Sequence, residues 1–97
     1  MLVLIAYDVQ TSTKEGVARL RKVAKLCVDY GQRVQNSVFE CSVDPAQLIK
    51  LKHELEGIID NNSDTVRIYH MGKNWDRKIE TLGRSESYNP DNGTLFL

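Results

Sequence analysis

The stretch LVLIAYDVQ sets six apolar or aromatic side chains, Leu2 to Tyr7, directly before a carboxylate, Asp8. Val3 to Tyr7 reads as a strand. Strand side chains alternate between faces, so Leu2, Leu4 and Ala6 share one side with Asp8, while Val3, Ile5 and Tyr7 take the other. Apolar residues on both faces require both faces to be covered. A fold that lays helices on one side of such a strand must find something else for the other side.

The rest of the chain supplies too little for that second side. Ser12 and Glu15 have capping-box spacing and open a helix. Its apolar arc is Val17, Leu20, Val23, Ala24, Cys27 and Val28, with a stop at Tyr30-Gly31 and with Leu26 on the polar side, where it hints at a contact beyond the monomer core. QRVQNSVFECSV reads as two short strands joined near Asn36-Ser37, with Phe39, Cys41 and Val43 on one face and Val38 and Glu40 on the other. Asp44-Pro45 starts a second helix, an aspartate cap followed by proline at the first helical position. Leu48, Leu51, Leu55, Ile58 and Ile59 form its stripe. DNNSD is a loop, Val66 to Met71 a strand, MGKNW a turn, and Arg77 to Leu82 a last, edge-type strand. The order strand, helix, strand, strand, helix, strand is an α+β, ferredoxin-like βαββαβ arrangement with an extra C-terminal piece. Its two helices cover one sheet face. The simplest cover for the other is the sheet of a second copy, in a homodimer with stacked sheets. The terminal TLFL is a candidate to pair with the partner's sheet edge.

At 97 residues the chain is expected to be a single domain, with a core over 1–82 and a tail over 83–97. Two cysteines, Cys27 and Cys41, are too few and too far apart for a redox or zinc motif. The apolar N-terminal run is too short for a signal peptide or a membrane span, so a cytoplasmic protein is expected. Net charge is zero, but it is unevenly spread. Lys14 to Arg33 carries six basic residues against two acids, a net +4, and Glu40 to Asp64 carries six acids against two lysines, a net −4. Local charge density sets phosphate attraction, and Arg19, Arg21, Lys22, Lys25 and Arg33 are candidate phosphate contacts, although two solvated helix faces explain the same pattern.

Asp8 stands where a strand ends and a loop begins. It is either a cap on that loop or a ligand for a hard cation such as magnesium, which takes one or two carboxylates and keeps several waters. One chain offers one such carboxylate, and a two-fold dimer offers two. His53 lies on the polar side of its helix, and His70 ends a strand, where a structural hydrogen bond is the simpler role. Tyr7 and Phe39 have the pattern of core aromatics. There is no Gly-rich phosphate loop and no paired metal-ligand histidines.

The strand ending in AYDV, the helix RLRKVAK and above all YGQRVQNSVFE resemble the CRISPR-associated protein Cas2 family, the smaller of the two core spacer-acquisition proteins, and MGKNWDRKIETLG is similar to its members as well. The resemblance runs over nearly the whole chain. It implies a ferredoxin-like homodimer in which two copies of Asp8 face each other and share one Mg2+ ion. It further implies functional positions at Tyr7, Asp8, Arg19, Arg21, Arg33 and Phe39, with the arginines on phosphates and with Tyr7 and Phe39 supporting the catalytic Asp8. The activity implied is metal-dependent endonuclease action on single-stranded RNA or duplex DNA, and the partner implied is the CRISPR integrase subunit, with which the dimer holds duplex DNA. Two alternatives stand beside it: a non-catalytic, dimeric nucleic-acid scaffold, and a small-molecule-sensing module on the same fold.

Overall fold

A computed structural model describes residues 1–72 and 79–84. The elements run β1 (Leu2–Asp8), α1 (Lys14–Val28), β2 (Gly31–Gln35), β3 (Val38–Ser42), α2 (Pro45–Ile58), β4 (Thr65–His70) and β5 (Ile79–Gly83). The strands form one antiparallel sheet in the order β2-β3-β1-β4-β5. The first six elements are the expected ferredoxin-like βαββαβ unit, with β5 added outside β4. The expected pairing of TLFL, most of the MGKNW turn and the tail beyond Arg84 lie outside the described residues.

The core lies between the sheet and the two helices. Val3, Ile5 and Tyr7 from β1, Phe39 and Cys41 from β3, and Val66 and Ile68 from β4 face Val23 and Cys27 of α1 and Leu48, Leu51 and Leu55 of α2. Val3, Ile5, Phe39, Leu51, Leu55 and Ile68 are all fully buried. Each such side chain stabilises the fold by about 1.5–3 kcal/mol relative to leaving it in water. The second helix starts as its sequence predicts. The Asp44 side chain accepts from Gln47 N at 2.7 Å, Gln47 Oε1 returns the bond to Asp44 N at 2.9 Å, and Pro45 follows the cap.

The first helix departs from expectation in two ways. Its cap is Thr13, whose Oγ1 accepts from Gly16 N at 3.0 Å, and not Ser12. Both hydroxyls stand near the helix start, and Thr13 is the last residue with extended backbone, φ −124° and ψ 162°, before it. Leu26, expected on the polar side, is buried in the core, whereas Val17 and Val28, expected in the apolar arc, are exposed. The helix is thus rotated about its axis toward Leu26 and Arg19. Two contacts account for the turn: α1 packs against α2 as well as the sheet, and Arg19 is drawn inward to Asp64.

The edge strand β5 is pinned by charge. Glu80 accepts from Lys52 Nζ of α2 at 2.8 Å and lies 2.6 Å from His70 Nε2 of β4. The strand ends at Gly83, whose φ of 89° brings the chain against the Asp64 carbonyl in a conformation that favours glycine.

Candidate metal and nucleic-acid site

Asp8 ends β1, the central strand, with Thr65 of β4 as its register partner. Because Val3, Ile5 and Tyr7 point into the helix layer, alternation places Asp8 on the opposite, helix-free side of the sheet. Its residue is exposed. On that same side, Leu4 and Ala6 stay half-buried and pair in register with Glu40, Tyr69, Val38 and Arg67. No helix among the described residues covers this face. The strand apolar on both sides therefore has one side packed and one side only half-covered at Leu4 and Ala6, beside the buried Thr65 and Tyr69 of β4.

Tyr7 and Phe39 are on the other side of the sheet from Asp8. Phe39 is fully buried and Tyr7 nearly so. Their rings stack with centroids 6.1 Å apart, and the Arg33 guanidinium lies over Phe39 at 5.2 Å. Tyr7 Oη donates to the Asn36 carbonyl at 3.4 Å. Burial raises the tyrosine pKa above its ordinary 10.0, with the nearby Arg33 charge opposing. The three residues that the sequence groups around one centre are thus separated by the thickness of the sheet. Tyr7 and Phe39 pack behind β1 and β3, and their buried rings do not reach the surface that Asp8 faces.

The basic residues divide as well. Arg21, Lys22 and Lys25 are exposed on α1, and Arg33 is exposed on β2. Lys14, Arg21 and Lys25 recur at intervals of seven and four, which sets them along one outward ridge of the helix. Arg19 stands apart from them. Its Nε donates to Asp64 Oδ2 at 2.7 Å, and its Nη2 reaches Asp64 Oδ1 at 3.4 Å and Ser63 Oγ at 3.5 Å. The guanidinium is committed to a carboxylate within its own chain. Arg19 therefore ties α1 to the start of β4, a different task from the phosphate contact that its place in the basic segment suggests.

Asp64 has no counterpart among the residues expected from sequence, where it falls in the DNNSD loop. It is fully buried. Besides Arg19 it accepts from Gln10 N at 3.0 Å and from Asp60 N at 2.8 Å. Burial pushes its pKa up, but the hydrogen bonds from Arg19, Asp60 and Gln10 outweigh burial and hold the carboxyl below its ordinary 3.8. The sequence does place an acid immediately before the apolar strand TVRIYH; only the approach of α1 and of the chain after β1 turns it inward.

Among the described residues no three His, Cys, Asp or Glu side chains gather into a metal-holding cluster. Asp8 supplies a hard oxygen donor that suits magnesium, but one protomer supplies one such group. His53 is exposed, as expected, and His70 makes its structural contact with Glu80.

The chain has clear relatives among known proteins. The family model for "CRISPR associated protein Cas2" matches residues 1–79. The chain is 55% identical over 96 residues to a "CRISPR-associated endonuclease Cas2" of Halalkalibacterium halodurans, covering 99% of this chain and 100% of the relative. It is 54% identical over 97 residues to a "CRISPR-associated endoribonuclease Cas2" of Nitratidesulfovibrio vulgaris, covering 100% of this chain and 94% of that one. Among solved structures, Streptococcus pyogenes Cas2 at pH 6.5 superposes with a TM-score of 0.71 and 64% identity, covering 77% of this chain and 90% of the other. A family model spanning most of the chain, relatives above half identity across nearly all of their length, and a solved structure with the same fold leave one conclusion: this chain belongs to the CRISPR-associated Cas2 family.

Proposed function

We propose that this chain is a magnesium-dependent endonuclease subunit that works in CRISPR adaptation as a homodimer of stacked sheets. The observation that carries the reading is the position of Asp8: exposed, at the end of the central strand, and on the one sheet face that the helices leave open. A second copy laid on Leu4 and Ala6 would cover the apolar face and bring a second Asp8 to the same side. The two Asp8 carboxylates would hold Mg2+, which when bound activates water and offsets charge on a scissile phosphate. The chain's own residues contribute the rest. Tyr7 and Phe39 brace the strands behind Asp8, and exposed Arg21, Lys22, Lys25 and Arg33 attract the phosphate backbone. In stacked sheets the helix layers face away from each other, so the basic ridges form two tracks on opposite sides rather than one longer surface. The substrate class is a phosphodiester of single-stranded RNA or duplex DNA. The working location is the cytoplasm, a reading with which the lack, among the described residues, of any helix long and apolar enough to cross a membrane agrees. Binding duplex DNA together with the CRISPR integrase subunit belongs to the same proposal.

The test is Asp8→Asn in a dimer confirmed by light scattering. Magnesium-dependent cleavage of RNA and duplex DNA is expected to fall by at least about a hundredfold, the scale on which one general catalytic group acts. Unchanged cleavage refutes the nuclease mechanism, and a monomeric wild-type mass at micromolar concentration refutes the stacked dimer. The exposed basic ridge favours a second reading, a duplex-binding scaffold in which Asp8 is incidental. That reading expects Arg21→Ala or Lys25→Ala to weaken duplex binding and lower the salt slope by about one per lost phosphate contact.

A further inference from the structure

We propose that Asp64 is the positioning residue for Asp8: its buried carboxylate fixes the end of β1 by gripping the chain just past that strand's exit. The inference rests on Asp8 being the functional carboxylate and adds the group that sets where it points. Asp64 Oδ1 accepts from Gln10 N, two residues beyond Asp8, at 3.0 Å. Thr65, the residue after Asp64, is the register partner of Asp8 across the strand pair. Asp64 therefore touches the backbone just past Asp8 and stands next to the residue directly opposite it.

Asp64 is itself held from three directions, two at its carboxylate and one at its main-chain carbonyl. Arg19 Nε donates to Oδ2 at 2.7 Å from α1, and Asp60 N donates to the same oxygen at 2.8 Å from the turn after α2. Arg84 N donates to the Asp64 carbonyl at 2.7 Å from the end of β5. Gly16 completes the grip on Gln10. A Cβ at that position would collide with the Gln10 carbonyl, so only glycine lets α1 lie this close to the β1 exit. The amide of Gln10 is thus tied to Asp64 while its carbonyl lies against the bare backbone of α1. A buried carboxylate with these donors is rigid, because releasing any one of them leaves a polar group unpaired.

Asp64→Asn separates this role from general support of the fold. An amide offers one oxygen where the carboxylate offers two. The orientation that keeps oxygen on Arg19 Nε and Asp60 N turns the NH2 group against Gln10 N–H. Native-state hydrogen exchange and backbone order parameters by NMR, both free of any metal or substrate, provide the readout. Gln10 N–H is expected to exchange roughly ten- to hundredfold faster, the weight of a hydrogen bond to a charged group. The Asp8 order parameter is expected to fall, while Ile5 and Ile68 amides at the sheet centre keep their protection. In magnesium-dependent cleavage the ion concentration for half-maximal rate should rise with the nucleic-acid KM unchanged. Unchanged Gln10 exchange or an unchanged Asp8 order parameter overturns the proposal, and so does equal loss of protection at Ile5 and Ile68, which would mark Asp64 as structural support alone. If Asp64→Asn does not fold, Gly16→Ala, whose Cβ would displace the Gln10 carbonyl and so draw Gln10 N–H off Asp64 while leaving the carboxylate and its other donors in place, carries the same test with the same outcomes. Loss of the nuclease reading shows instead as Asp8→Asn that still cleaves, a result independent of the exchange at Gln10.

Discussion

Phe39→Leu distinguishes a ring that supports the site from one that touches substrate. Phe39 has no exposed surface, stacks on Tyr7 at 6.1 Å and carries the Arg33 guanidinium at 5.2 Å. Leucine keeps most of the volume, so the imperfect fit costs about 1 kcal/mol. The lost aromatic pair adds about 1 kcal/mol. The cation–π contact sits at a solvent-exposed arginine and adds about 0.5 kcal/mol. The sum is roughly 2–3 kcal/mol, a large part of the 5–15 kcal/mol typical of a whole domain. For a chain of this length that corresponds to a fall in Tm of roughly 8–24 °C. Urea and thermal unfolding should be compared at equal protomer concentration, since any self-association adds to apparent stability. Cleavage should be measured at a temperature where both proteins are fully folded. The expected result is a clear loss of stability with kcat within about twofold of wild type. Stability within about 0.5 kcal/mol of wild type refutes the packing reasoning. A fully folded variant that has lost cleavage refutes the placement of Phe39 behind the site.

Two further predictions concern titration. Burial pushes the Glu80 pKa up, but its bonds to Lys52 and His70 outweigh burial and hold it below its ordinary 4.5. Glu80 therefore stabilises the fold above about that pH and stops doing so as pH falls through its lowered value, so the gap in urea midpoint between wild type and Glu80→Gln should be present at pH 7 and shrink below pH 4; a gap that is constant with pH would contradict this. The Cys27 thiol is pushed by burial from 9.0 to about 12, with the nearby Cys41 adding to the rise. It should resist a maleimide at pH 8 in the native protein and react at once in denaturant, and rapid native labelling at Cys27 would count against its burial.

Much of the fold was legible in sequence because its signals are local. Asp44-Pro45 specifies a helix start whatever surrounds it, and Phe39, Cys41 and Val43 alternate as any strand with one buried side must. The apolar run Leu2 to Tyr7 required cover on both faces, and the structure does bury Val3, Ile5 and Tyr7 while leaving Leu4 and Ala6 half-exposed. The helix rotation was not legible. Val17 and Val28 look like core residues at helical spacing, and only the neighbouring α2 and the buried Asp64 decide that Leu26 and Arg19 turn inward instead.

The candidate site divides in the same way. Asp8 stood out in the sequence because a carboxylate ending an apolar strand is a local anomaly. Alternation along the strand already set Tyr7 on the face opposite Asp8, and the fold adds Phe39 to that same buried side. Asp64 was invisible because its meaning depends on three chain segments: Gln10, Arg19 and Asp60 are distant or unremarkable in sequence and meet only once the sheet and α1 have packed. The sequence by itself determined the order of elements, the start of the second helix and the acid at the strand end. Tertiary structure decided which face each residue serves and which charge is spent on holding the fold, since burial and pairing are properties of neighbours that a linear chain does not have.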